Sequence, residues 1–206
     1  PDAPHLHIAA HDGDVDWLAA HLDAHPQKVD HPDGQGWTPL HWASARGHDG
    51  LVTVLLARGA QVDRRNRWGC TALFLACSEG HRTTASLLIG AGADPTATTT
   101  AEQVTPLMEA AWQGRLECVL LLVRRERRNV DETDVYGRTA LWKAIYFNHY
   151  RVAQVLLIEG KANPFVAALD GRMPAEIAGE RGNRACQRLL EVCRSGARCE
   201  SCRHHS

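Results

Sequence analysis

One phrase recurs down this chain with edits. It reads "GWTPLHWASARGH" from Gly36, "GCTALFLACSEGH" from Gly69, "QVTPLMEAAWQGR" from Gln103 and "GRTALWKAIYFNH" from Gly137. Aligned on Leu40, Leu73, Leu107 and Leu141, the copies step by 33, 34 and 34 residues. A fixed period in this range dictates architecture before any other feature is weighed, because each copy must fold alike and bury its apolar face against the next. The same register lands on Leu6 toward the start and on Ala175 toward the end, which gives six units with degenerate outer copies.

Each copy parses in the same way. Thr38 is an N-cap and Pro39 a first-turn residue, so a short helix starts there. Leu40, Ala43 and Ser44 give it a small-residue face, and Gly47 stops it. Leu51, Val52, Leu55 and Leu56 mark a second helix at helical spacing, with Gly59 as its C-cap. The polar stretch "AQVDRRNRWG" then suits a loop or hairpin. The expected fold is all-α with short hairpin loops, a solenoid of helix-turn-helix units. The units are placed at residues 1–32, 33–65, 66–99, 100–133, 134–167 and 168–193, followed by a flexible tail at 194–206.

The units resemble ankyrin repeats, whose signature includes T-P-L-H-x-A. "TPLHWA" at Thr38–Ala43 matches it letter for letter, and "GAQVD" and "GAGADP" resemble the usual end of the second helix. The resemblance covers roughly residues 4–193. It implies a hydrogen bond between His41 and Thr38, and a rigid concave surface of hairpin tips and first helices that binds other proteins. Departures fall in "TATTTAEQ" at Thr96–Gln103, where an irregular finger is expected, and at Met173, where the capping Thr is lost. Arg181, Arg184, Gln187 and Arg188 suit a last unit that meets water on one face.

If the constant letters fold, the edited letters choose the partner. Trp, Tyr and Arg dominate binding hot spots. They recur at the hairpin tips as Trp37, Arg67, Trp68, Tyr136 and Arg138, and late in the first helices as Arg46, Trp112, Tyr146 and Phe147. These nine are the candidate partner-binding residues. Trp68, Trp112 and Tyr136 are expected to be exposed, whereas Trp17, Trp42 and Trp142 are expected to pack between units. Glu109 and Lys143, at equivalent places in neighbouring copies, read as a solvent-exposed salt bridge worth ~0–1 kcal/mol.

Composition narrows the function classes. Lys+Arg 23 against Asp+Glu 24 leaves a net charge of -1, with no global pull on nucleic acid or an anionic membrane. Seven cysteines, odd in number and without framework spacing, read as reduced thiols in cytosol or nucleus; Cys70, Cys77, Cys118 and Cys186 are placed in helix-like runs. No signal peptide or membrane-length apolar run is visible, and Pro1 is not a natural start, as in an excised fragment. No nucleophile elbow or phosphate-binding glycine pattern stands out, so no catalytic residues, cofactor or metal are assigned. The histidines read as structural, and "RRERR" at Arg124–Arg128 as cations at a helix end.

The leading expectation is therefore a monomeric protein-interaction module, not an enzyme, taking a protein or peptide on its concave face. Two alternatives remain open. Cys199 and Cys202, with Cys193, His204 and His205 near, could begin a zinc finger, which would suit the substrate arm of a ubiquitin ligase. Arg beside aromatic residues could instead sense a small anionic ligand.

Overall fold

A computed structural model describes residues 3–125 and 129–194. The last three residues of the basic run, 126–128, and the Cys199/Cys202 tail lie outside the described residues. Among those described, the regular elements are twelve α-helices and one short 3-10 turn, with no strand. The chain divides into two compact units, 1–106 and 107–206.

The first unit carries α1 (Ala3–Asp12), α2 (Val15–Ala24), α3 (Pro39–Arg46), α4 (Asp49–Ala57), α5 (Ala72–Glu79) and α6 (Arg82–Gly90). Thr38 and Thr71 stand extended before α3 and α5. The Thr71 hydroxyl accepts from the Phe74 N–H at 3.2 Å. His41 serves the same end in α3. Its Nε2–H donates to the Cys70 carbonyl at 3.1 Å, which leaves Nδ1 to accept from the Thr38 N–H at 3.1 Å. The Thr38 hydroxyl also lies 2.8 Å from Nδ1, so the implied Thr38–His41 bond is present. Cys70 itself precedes the Thr71 cap and is not helical, contrary to the sequence expectation, because its carbonyl is committed across to His41.

The glycine-histidine pairs have a geometric cause. Gly47 closes α3 in the left-handed region at φ 71°. A Cβ there would lie 2.5 Å from the His81 ring of the following copy. That ring donates from Nε2 to the Ala45 carbonyl at 3.2 Å, tying one helix pair to the previous one. Gly13 and His48 repeat the arrangement, with Nε2 2.8 Å from the His11 carbonyl. Glycine is therefore required twice over, for its backbone and for the ring above it.

The second unit contains α7 (Pro106–Trp112, begun at the boundary), α8 (Leu116–Arg125), α9 (Ala140–Tyr146), α10 (Tyr150–Ile158), α11 (Pro174–Glu180) and α12 (Arg184–Arg194). Thr139 caps α9 through the Trp142 N–H at 3.1 Å. Before α11, where Met173 has no hydroxyl, the Glu176 carboxylate accepts from the Met173 N–H at 2.8 Å. Gly114 lies under His149, which donates to the Trp112 carbonyl at 2.8 Å. At the next turn Asn148 takes the left-handed place at φ 60°, and the following copy offers Asn183 in place of a ring. Asn183 Nδ2 donates to the Ile145 carbonyl at 2.6 Å. A smaller side chain above leaves room for a Cβ below. Arg184 and Arg188 of α12 are exposed.

The hairpins share one closure. Residues 33, 66, 134 and 168 each donate an N–H to the carbonyl four residues on, at 2.8–3.1 Å. Thr99 must reach five residues on, to Val104, and Gln103 turns to φ 54° where the other hairpins use glycine. That irregular finger is the one expected from "TATTTAEQ", and it buries Val104.

Candidate functional site

Asp134 opens the hairpin before α9. Its carboxylate accepts the Tyr136 and Arg138 N–H groups at 3.0 and 2.9 Å, which folds the turn over it. The same carboxylate pairs with the Arg138 guanidinium at 2.9 Å and the Lys143 ammonium at 2.8 Å. Asp134 and Lys143 are both buried, Lys143 to 1% exposure. Burial alone would raise the Asp134 pKa, but the Lys143 ammonium and the two turn N–H groups outweigh it and hold the carboxyl below its ordinary range.

Lys143 is thus neither solvent-exposed nor a surface-bridge residue, contrary to the sequence expectation. It stands one turn into α9, where a side chain reaches sideways under the hairpin, and its partner there is Asp134. Glu109 accepts from Gln113 at 2.9 Å.

Above this charged floor lies a cleft of about 620 Å³, lined by Trp112, Tyr136, Arg138, Trp142, Lys143, Tyr146, Phe147, Ala168, Leu169, Asp170 and Arg172. The aromatic rings are stacked into one wall. Trp112 lies on Phe147 with centroids 5.5 Å apart, Phe147 meets Tyr146 edge-on at 5.0 Å, and Tyr146 stacks on Trp142 at 4.9 Å. Cations cover ring faces: Lys143 over Trp112 at 4.7 Å, Arg138 over Tyr136 at 4.3 Å, and Arg181 over Tyr146 at 4.1 Å. At the rim Arg172 bridges Asp170 at 2.6 Å and Glu180 at 3.2 Å. The hydrogen bond from Arg172 holds the Asp170 carboxyl below its usual range. Leu169, tethered by its N–H to the Tyr136 carbonyl at 2.9 Å, is 79% exposed.

Five of the nine candidate residues, Trp112, Tyr136, Arg138, Tyr146 and Phe147, meet in this cleft. Tyr136 is exposed as expected, while Trp112 is only half-buried because Phe147 and Lys143 cover it. Trp142 is buried as expected. The other four candidates belong to the first unit. Trp37 packs on Trp42 at 4.5 Å, Arg46 contacts His11, and Arg67 reaches the Gln35 amide at 3.5 Å. Trp68 is 52% exposed, and so, unexpectedly, is much of Trp17, which stacks on His21 of its own helix. Sequence reasoning missed Lys143, Leu169, Asp170 and Arg172 as cleft residues. The available signal was the Asp134-to-Arg138 spacing with a Lys nine residues on from the Asp.

No helix among the described residues is long and apolar enough to cross a membrane. A family model for ankyrin repeats matches residues 6–99 and 97–168. Partial similarity reaches proteins of different kinds. The chain is 34% identical over 83 residues to the mouse nuclear factor NF-kappa-B p105 subunit, covering 40% of this chain and 8% of that protein. It is 42% identical over 59 residues to the human DNA-binding protein RFXANK, covering 29% and 23%. It is 40% identical over 58 residues to the Arabidopsis thaliana potassium channel AKT2/3, covering 28% and 7%. The chain therefore spans under a quarter of each of these relatives. With the repeat model matching most of its length, the chain belongs to the ankyrin-repeat family.

Proposed function

We propose that this chain is a protein-interaction module that binds a partner protein or peptide in the cleft of its second unit. Ankyrin repeats generally mediate protein–protein interaction. The observation that carries the placement is the cleft's composition: stacked aromatic rings beside an Arg-lined rim, with Tyr136, Phe147 and Leu169 exposed. Large rigid rings and guanidinium groups give the most contact energy for the least lost entropy. Exposed apolar side chains gathered round a concavity are what an interface uses. Trp37, Arg46, Arg67 and Trp68 complete the proposal as a contact patch on the first unit. Cytoplasm or nucleus, a monomeric state and no nucleic-acid or membrane partner belong to the same reading.

The test compares the wild-type chain with a Tyr136→Ala/Phe147→Ala variant in co-precipitation from cell extract, read by mass spectrometry. Circular dichroism first establishes that the variant folds with a thermal midpoint within ~4 °C of wild type, as trimming exposed side chains should allow. Partners lost from the variant alone support the cleft. An unchanged partner set would move the search to the first unit's Trp68 patch.

A further inference from the structure

We infer that the cleft of the second unit takes an acidic peptide segment. An apolar side chain of the peptide seats against Tyr136 and Phe147, and a neighbouring Asp or Glu carboxylate meets Arg172. This rests on the reading of the cleft as a protein-binding site and adds the chemistry of the partner.

Stacked aromatic rings usually attract cations. Here that role is already filled from within the chain. Trp112 and Trp142 each have one ring neighbour and Tyr146 has two, and each of the three has a cation neighbour: Lys143 for Trp112, Arg138 for Trp142 and Arg181 for Tyr146. The charged groups in and around the cleft are four cations, Arg138, Lys143, Arg172 and Arg181, against three carboxylates, Asp134, Asp170 and Glu180. Asp170 is held by Arg172, and Asp134 beneath is held by Arg138 and Lys143. A cationic side chain entering the cleft would meet an excess of like charge and carboxylates that already have partners. A carboxylate would meet a field of the favourable sign.

Arg172 is placed for that contact. Its side chain is 42% exposed while bridging two carboxylates. A planar guanidinium offers five donors, so a third carboxylate can share it at the water-facing edge. The apolar component follows from the rim. Leu169 and Tyr136, 79% and 50% exposed, line the same cleft as Phe147, and a small anion in the cleft would leave all three in water. A peptide covers them, with burial of each apolar side chain adding to affinity.

The experiment selects binders from a phage-displayed library of random ~12-residue peptides against the whole chain. The expected hits pair an apolar residue with Asp or Glu and carry net negative charge. A synthetic hit should lose at least ~tenfold affinity against Tyr136→Ala, and ~tenfold against Arg172→Gln. Replacing its acidic residues with Lys should abolish binding to the unaltered chain, an arm that needs no variant to fold. Hits that are basic yet still need Tyr136 would overturn the acidic assignment and leave the binding site standing. Hits indifferent to Tyr136 and Arg172 would overturn both. Displacement of the hit by ~1 mM ATP, with a matching rise in thermal midpoint, would assign the cleft to a small anion and overturn the peptide reading.

Discussion

Asp33 in the first unit and Asp134 in the second occupy the same place in the repeat, and so do Trp42 and Lys143 in the helices that follow. In the first unit Asp33 accepts the Gln35 and Trp37 N–H groups at 2.8 and 2.9 Å and the Trp42 indole N–H at 3.1 Å. In the second, Asp134 accepts the two turn N–H groups and gathers Arg138 and Lys143 as well. Asn66, at the same place again, accepts the Trp68 and Cys70 N–H groups at 3.0 Å with no charge at all. Closing the hairpin thus needs an acceptor, not an anion. The anion becomes necessary only where a buried ammonium must be balanced, and a scaffold residue then sets the polarity of a binding cleft.

The largest expected effect separates the two aspartates. Asp134→Ala strands the buried Lys143 ammonium and should cost about 3–5 kcal/mol in urea unfolding. Asp33→Ala removes three hydrogen bonds from neutral N–H groups to a carboxylate, with no buried cation left behind, and should cost about 1–3 kcal/mol. Equal losses would break the comparison by showing that the ion pair adds nothing beyond the turn. Asp134→Asn, which restores the arrangement of Asn66, should fall between them.

A second contrast lies in the turns. Gly47→Ala needs a left-handed Ala and drives a Cβ into the His81 ring, so about 2 kcal/mol or more should be lost. Asn148→Gly, where no ring lies above, should change stability by less than about 1 kcal/mol. Thermal unfolding of the two variants checks this.

Acid should discriminate between the units as well. Burial holds the His41 pKa below its ordinary 6.5, and its Nδ1 is already accepting from Thr38. Above pH 6.5 folded and unfolded chains both carry a neutral imidazole. Below it the unfolded chain takes a proton that the folded chain refuses, so stability falls with falling pH, by at most about 1.4 kcal/mol per pH unit for this one proton. The second unit has Trp142 at that place and makes no such contribution. Asp33 and Asp134 act lower: both folded pKa values lie below 3.8, so their stabilisation is present above that value and lost as pH falls through the folded one. Amide exchange should therefore show α3 opening before α9 between pH 6.5 and 4.5, and His41→Phe should flatten the difference.

The smallest effect is Thr139→Ala, about 1 kcal/mol from the lost cap on Trp142 N–H. Met173→Thr offers the converse gain at α11, a hydroxyl acceptor for the Glu176 N–H, less than that because this N–H already bonds the Met173 carbonyl at 3.1 Å.

Backbone-level features were legible in the sequence. Thr38, Pro39 and Gly47 fix helix ends through their own conformational limits, and "TATTTAEQ", lacking the usual hairpin letters, marked the finger that closes five residues on instead of four. Lys143 was not legible. Repeat register showed that it shares a position with Glu109, which suggested a pair. Register gives the direction in which a side chain leaves the helix, but a long flexible one ends wherever charge and space allow, here beneath its own hairpin. Trp112 illustrates the same limit, since its exposure depends on Phe147 and Lys143 from the next copy. Leu169 and Arg172 entered the cleft from a hairpin whose letters depart from the others.

The histidine rings seated over the preceding glycines have a consequence for anyone exchanging copies of this chain. His81 fits its place only above a glycine such as Gly47, and Asn148 only beneath something as small as Asn183. The covariant pieces straddle the border between copies, so a cassette cut at the hairpins separates each lock from its key. Grafts with breakpoints inside the repeat, ahead of the first helix's final turn and just after the next copy's matching ring, would travel intact.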